Sequence, residues 1–307
     1  MKKAVALCLA AVLVLSLAAG AFAEGRKFGA CYITNSPFFI AVNDTIKAVI
    51  EEENGDTLIT LDPERDQEKQ IRQINDLIAQ GIAALFLTPV DGEGITPALL
   101  ACREAGIPVI NVDSAVQEED LVTCIIASDN HAAGQFCGED LLSRIKGGKI
   151  AILENSTAKT GFDRIAAFEE AVKDRPDFTI AIRGDSRGKR DIAESVMKDI
   201  LQKVPDIAAV MCVSDSVALG AVAALKEAGA LGRVLVYGVN GSPEAKKAIR
   251  DGIMTGTAGQ SARNIGHIAA SIAYRALDGK QVEKYISAPV LMINADNLHE
   301  FFLDGWQ

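Results

Sequence analysis

Short apolar runs that end on a polar residue recur along this chain, and apolar residues at helical spacing follow most of them. Phe28-Gly29-Ala30-Cys31-Tyr32-Ile33-Thr34 is the first run. Asn35-Ser36-Pro37 breaks it, and Phe38 to Glu53 then carries a helix pattern. Thr57 to Leu61, Ala83 to Leu87 and Val109 to Val112 read as further strands, with helices over Gln67 to Gln80 and Thr96 to Ala105. Ile71, Ile74 and Ile78 share one face of the former, an amphipathic signature. Gly81 suits its C-cap, and Gly106 ends the latter. These strands are apolar on both faces, as parallel strands covered by helices must be.

After a short run from Val122 to Ala127 and the turn Ser128-Asp129-Asn130, the rhythm restarts. Lys149 to Leu153, Thr179 to Ile182, Ala208 to Val213 and Val234 to Val239 read as strands. Arg164 to Lys173, Asp191 to Gln202 and Val217 to Ala228 read as helices. Alternating strand and helix implies right-handed crossovers and doubly wound parallel sheets. Two successive copies predict an α/β protein of two similar lobes. No Pro/Ser-rich linker separates them, so the lobes should meet through several ordered crossings. The carboxyl ends of strands in such a sheet open onto one crevice. Thr34, Asp62, Thr88, Asp113, Asp185, Asp215 and Asn240 are those ends, with Gln260 closing one more run. Hydroxyls, carboxylates and amides around a crevice suit a small polar molecule.

The amino terminus follows different rules. Met1-Lys2-Lys3 precedes an apolar stretch to about Gly20, then Ala21-Phe22-Ala23. A basic start, an apolar middle and an A-x-A end form a secretory signal, with cleavage expected after Ala23. No cysteine sits at that point, so a lipid anchor is not implied. Removing Lys2 and Lys3 leaves 29 basic against 41 acidic residues and moves the net charge from −10 to −12. An acidic chain repels phosphate backbones, which argues against nucleic acid as a partner. Cys31, Cys102, Cys124, Cys137 and Cys212 remain, an odd count whose spacing matches no zinc pattern. No metal or cofactor is expected. Export permits a disulfide, but spacing alone supplies no pairing.

Five local motifs, in order, resemble the periplasmic sugar-binding proteins of the ribose-binding type, the soluble receptors of ATP-driven importers. They are Ser36-Pro37-Phe38-Phe39, Pro108-Val109-Ile110-Asn111-Val112-Asp113 and Ile126-Ala127-Ser128-Asp129-Asn130. Ser214-Asp215 with Ala218-Leu219-Gly220, and Tyr237-Gly238-Val239-Asn240-Gly241, complete the set. The similarity runs from Lys27 to about Ile293. It implies two doubly wound lobes joined by three crossings, near Ser128, Gln260 and Ser287. The first lobe would comprise 24–128 plus 261–287, the second 129–260 plus 288–307, after a leader over 1–23. The implied protein is an exported monomer. It closes on a sugar or polyol and presents it to a membrane permease of the ABC type.

The resemblance also assigns roles. A Phe after the first strand stacks on a sugar, and Phe38 and Phe39 are equal candidates. Pro37 starts their helix. Asp113 would accept two hydroxyls through charge-assisted bonds, or merely cap a helix. Arg164 would bridge ring and hydroxyl oxygens with its planar fork. Asn240 and Gln260 offer donors and acceptors together, and Ser128 borders the ligand. Ser36, Thr88 and Ser214 stand where the ribose type carries Asn, and Ser114 where it carries a second Arg. Gly188 stands where a Phe would complete an aromatic sandwich, and the family commonly has Asp in place of Asn240. Each of the first five changes shortens a side chain. They imply a roomier pocket and a larger sugar, a polyol or another hydroxylated metabolite such as a nucleoside or furanone.

Other classes fit less well. A hydrolase needs a nucleophile beside a base. His131, His267 and His299 are the only histidines, none at a predicted strand end, and G-x-S-x-G, G-x-G-x-x-G and P-loop patterns are absent. Sugar-responsive repressors of the lac type share this core but add a helix-turn-helix, which this chain lacks. A receptor that reports a sugar to a chemoreceptor or kinase would carry the same core.

Overall fold

The computed structural model describes residues 25–156 and 159–307; the expected leader lies outside them. Two six-stranded sheets form. The first contains β1 (Lys27–Cys31), β2 (Thr57–Leu61), β3 (Ala84–Leu87), β4 (Val109–Val112), β5 (Cys124–Ser128) and β11 (Tyr285–Ala288), in the order β11-β5-β4-β3-β1-β2. The second contains β6 (Gly148–Glu154), β7 (Phe178–Asp185), β8 (Ile207–Cys212), β9 (Leu235–Asn240), β10 (Gly256–Gln260) and β12 (Val290–Asn294), in the order β12-β10-β9-β8-β6-β7. The orders superimpose strand for strand. All pairings are parallel except β10 with β12.

Alternation across the pleat builds the core. Val109 packs into a cluster with Ile74 and Leu77 of α2 (Gln67–Ala79) and Leu99 of α3 (Thr96–Glu104). Its neighbour Ile110 points the other way, toward Val42 of α1 (Pro37–Lys47) and Ile265 of α9 (Ala262–Leu277). The second sheet is covered in the same manner by α4 (Asn130–Arg144), α5 (Lys159–Val172), α6 (Arg190–Lys203), α7 (Asp215–Glu227) and α8 (Pro243–Arg250).

Three segments pass between the sheets: Ser128 to Asn130, Gln260 to Ala262, and Ala288 to Val290. The first and third are tied together, Asp129 N donating to Ala288 O at 3.1 Å. After the third crossing, β12 joins the second sheet and Leu298 and Phe301 pack on that lobe's cluster, while Trp306 packs on the first lobe's.

Several boundaries differ from the sequence reading. α5 starts at Lys159, not at Arg164, so Arg164 lies in its second turn. The first helix ends in a π-helical stretch, Ala48–Glu53. Helices α4, α8 and α9 and strands β11 and β12 were not expected from periodicity. Asp129 caps α4, its carboxylate accepting from Ala132 N at 2.8 Å. All five described cysteines are buried and free, so no disulfide forms among them; no helix among the described residues is long and apolar enough to cross a membrane.

Candidate functional site between the lobes

Asp113 and Asn240 hold equivalent places, immediately after β4 and at the end of β9. Both leave the strand with φ values that side chains rarely adopt, 68° and 138°. Asp and Asn tolerate such backbone better than most residues. Strained backbone at matching points of both lobes marks a place where side-chain direction matters more than local energy. Asp113 is held there by its N–H, donated to Ile126 O at 2.8 Å, and by Ser114 Oγ, which donates to its carboxylate at 3.2 Å.

Arg164 approaches Asp113 from the other lobe. It is 7% exposed. Nε donates to Asn130 Oδ1 at 2.8 Å and Nη1 to Val213 O at 2.9 Å. No bond from Nη2 is made among the described residues, so one edge of the fork stays available. Burial pulls the guanidinium pKa down and pushes the Asp113 carboxyl up; the attraction between the two partly offsets both. Opposite charges from separate lobes thus face each other, one able to accept and the other to donate charge-assisted hydrogen bonds.

Asp215 is not in the front row. It is 1% exposed and sits behind Asn240. Its carboxylate accepts from Thr257 Oγ1 at 2.6 Å and from Ser242 N at 2.7 Å. Thr257 Oγ1 also accepts from Gly241 N at 3.1 Å. Asp215 therefore fixes the turn that presents Asn240. Burial pushes its carboxyl pKa up, opposed by Thr257, Ser242 and Arg164. Asp62 and Asp185 serve turns as well: Asp62 accepts from Asn35 N and Glu64 N, and Asp185 from Ser156 and Arg187 N.

The hydroxyl positions divide. Ser36 and Ser214 are N-caps of α1 and α7, accepting from Phe39 N and Val217 N. Thr88 is fully buried, and its hydroxyl donates to Val112 O at 2.8 Å, which ties β3 to β4. These three have structural employment. Ser128 does not: it is 6% exposed, and its Oγ lacks any partner. Gln260 donates from Nε2 to Asn240 Oδ1 at 2.7 Å, while its buried Oε1 lacks a partner. Ser128 and Gln260 again occupy equivalent strand ends, on β5 and β10. Two unpartnered oxygens at matching crossings are unusual, since buried polar atoms are nearly always bonded.

Phe38 and Phe39 are both buried and belong to one aromatic row. Tyr32 stacks on Phe39 at 5.7 Å, Phe39 meets Phe38 edge-on at 5.4 Å, and Phe38 meets Trp306 edge-on at 5.6 Å. Sequence reasoning missed Asn130 and Trp306. Asn130 stood inside a quoted motif, but its hold on Arg164 crosses 34 residues. Trp306 is the chain's only tryptophan, which was the available signal.

A hydroxyl buried without a partner costs stability until something bonds it, about 1–3 kcal/mol. Ser128→Ala is therefore expected to leave the unliganded melting temperature unchanged or raised and to weaken ligand binding. A lowered melting temperature with normal binding would show that the hydroxyl supports the fold instead.

Two lobes on a triple-stranded hinge, with opposite charges meeting between them, define a binding protein of the hinged, two-lobe class. The chain belongs to the periplasmic binding protein domain family, which it matches over residues 30–281. It is 32% identical over 266 residues to the ribose import binding protein of Bacillus subtilis, covering 83% of each chain. The same protein of Escherichia coli K12 is 29% identical over 285 residues, 92% of this chain and 95% of that one. Among solved structures, an ABC transporter solute-binding protein from Mycobacterium smegmatis with bound glycerol matches at TM-score 0.82 and 32% identity, over 90% and 96% of the two chains. The binding component of the arabinose ABC transporter of Shewanella sp. ANA-3, bound to L-arabinofuranose, matches at 0.83 and 28%, over 89% and 93%. The family and these relatives are binding proteins, and the family is periplasmic.

Proposed function

We propose that this chain is exported, loses its leader after Ala23, and works as a monomer that captures one small sugar or polyol between its lobes. Asp113, Arg164, Asn240, Gln260 and Ser128 bind the hydroxyls, and a ring of the Phe38–Phe39 pair covers an apolar face. Ser36, Thr88, Ser114 and Ser214 line the site at second rank, since each hydroxyl already serves the chain. The observation that carries this reading is the pair of unpartnered buried oxygens, Ser128 Oγ and Gln260 Oε1, beside the Asp113–Arg164 pair. A hydroxylated ligand completes both.

Closure follows as a population shift: contacts to both lobes exist only when they meet, so the ligand favours the closed state. The closed shape is then offered to an ABC permease. No chemistry on the ligand is required, and the protein returns it unchanged.

A panel of pentoses, hexoses, polyols and nucleosides tests this. A true ligand at 100 times its Kd stabilises the protein by about 2.7 kcal/mol and should reduce the radius of gyration in solution scattering. If no member raises the melting temperature or compacts the chain, the reading fails. If a member binds and is consumed, the protein is an enzyme.

A further inference from the structure

The last residues make contacts that neither the cleft nor the sheets require. Lys246, on α8 of the second lobe, is fully buried. Its ammonium donates to the carbonyls of Phe302 and Gly305 and to Gln307 Oε1. The other end of the Gln307 amide, Nε2, faces three carbonyls: Gly241 at 3.1 Å, and Asn240 and Gln260 at 3.3 Å each. Only this orientation of the amide suits both neighbours, a donor on one side and acceptors on the other.

The space for that amide is made by missing side chains. A Cβ on Gly241 would lie 1.9 Å from Gln307 Nε2, and one on Gly259 2.8 Å from it. So the second lobe offers a fitted socket, walled by two glycines and by the backbone of two candidate ligand residues. From the socket the segment reaches the first lobe. Arg263 N, in the first turn of α9, donates to the Gln307 carbonyl at 3.1 Å, and Trp306 packs edge-on against Phe38. Lys247 adds an ion pair to Asp304 at 2.7 Å on the second-lobe side, though exposed pairs contribute little.

We infer that Phe302–Gln307 is a strap across the hinge: Gln307 and Lys246 key it into the second lobe, and Trp306 bears on Phe38 of the first. It acts as a fourth link between the lobes. Unlike the three chain crossings, it is held by noncovalent contacts, most of them through side chains, and can detach. While seated, it backs Phe38 from behind the cleft and fixes the Asn240 and Gln260 backbone, so it sets how the lobes approach one another.

Trp306 is the only tryptophan, so its fluorescence reads the strap directly in the unliganded chain. Gln307→Met keeps the length of the side chain and removes its donors. The strap should then leave its socket, shifting Trp306 emission to the red and raising acrylamide quenching severalfold. Gln307→Ala should do the same. Trp306→Ala should broaden the scattering profile toward separated lobes, and Trp306→Phe should restore it. Native emission and quenching in both Gln307 variants would overturn the strap. A native profile in Trp306→Ala would overturn its bearing on the lobes. Neither readout needs a ligand, so each stands apart from the proposal of sugar capture.

Discussion

Asp113→Asn should abolish ligand binding at ordinary concentrations while leaving a well-folded protein. Asparagine keeps the size of the side chain and tolerates the φ of 68° that alanine would resist. What it removes is the charge. A buried, charge-assisted contact typically costs about 2–5 kcal/mol of affinity when one partner is lost, or roughly 30- to 5,000-fold in Kd. Stability should move the other way. Burial raises the Asp113 carboxyl above its ordinary range, with Arg164 and Ser114 offsetting only part of the shift. The folded state therefore holds its proton more tightly than the unfolded state does. As pH rises from the ordinary carboxylate range into the window just above it, stability is lost. The variant lacks this loss, so its melting temperature at neutral pH should match or exceed the native value, with a flatter profile below. Calorimetric titration and thermal melts across pH check the two halves independently. Native affinity in the variant would remove Asp113 from the site.

The lobed architecture was legible because the interior strands of both sheets are parallel and covered on two sides. Continuous apolar runs such as Ala84–Leu87 have no other good explanation. The elements that escaped notice lack that signal. α4 has Gly134 and Gly138 on its buried face, where apolar periodicity would normally appear. β11 has no continuous buried run at the edge of the first sheet, and β12 pairs antiparallel with β10 at the edge of the second. Short edge strands give no long apolar run.

The candidate site was legible where a polar residue ends a strand and is not taken up by the fold, at Asp113, Asn240 and Gln260. It was not legible where a polar strand end serves the fold. Asp215 looks like Asp113 in sequence, each a carboxylate following a buried run. Only three-dimensional structure shows that one faces the opposite lobe while the other grips Thr257 and Ser242. Ser36 and Ser214 illustrate the same ambiguity, since a serine after a strand is also a favoured helix cap. The strap was invisible for another reason. Its partners, Lys246 with Gln307 and Phe38 with Trp306, are distant in sequence and share no periodic pattern.

Gly134→Ala is expected to damage both stability and binding, although the residue touches no ligand. Alanine is the better helix former by nearly 1 kcal/mol, so an isolated helix would gain. Here α4 and α5 cross with Gly134 at the closest point. An added Cβ would lie 1.9 Å from Arg164 O and 2.9 Å from Phe168 N. Both are backbone atoms of α5 and cannot rotate away. The helices must separate, and overpacking of this kind costs about 1–3 kcal/mol or more. A net loss near 3 kcal/mol corresponds to roughly 6–12 °C in melting temperature. Binding suffers because the clash falls on Arg164 itself. Its bond to Asn130 joins α5 to the start of α4, so parting the helices strains that bond and turns the guanidinium from Asp113. Displacements of about 1 Å at a binding group are enough to lose most of its contribution. Gly138→Ala is the control: its nearest contact is the Ala171 side chain at 2.6 Å, one turn further from Arg164. It should lower stability with a much smaller effect on affinity. Equal losses of affinity in the two variants would mean that Arg164 is not held by this crossing, and native behaviour of Gly134→Ala would mean that the crossing is looser than described.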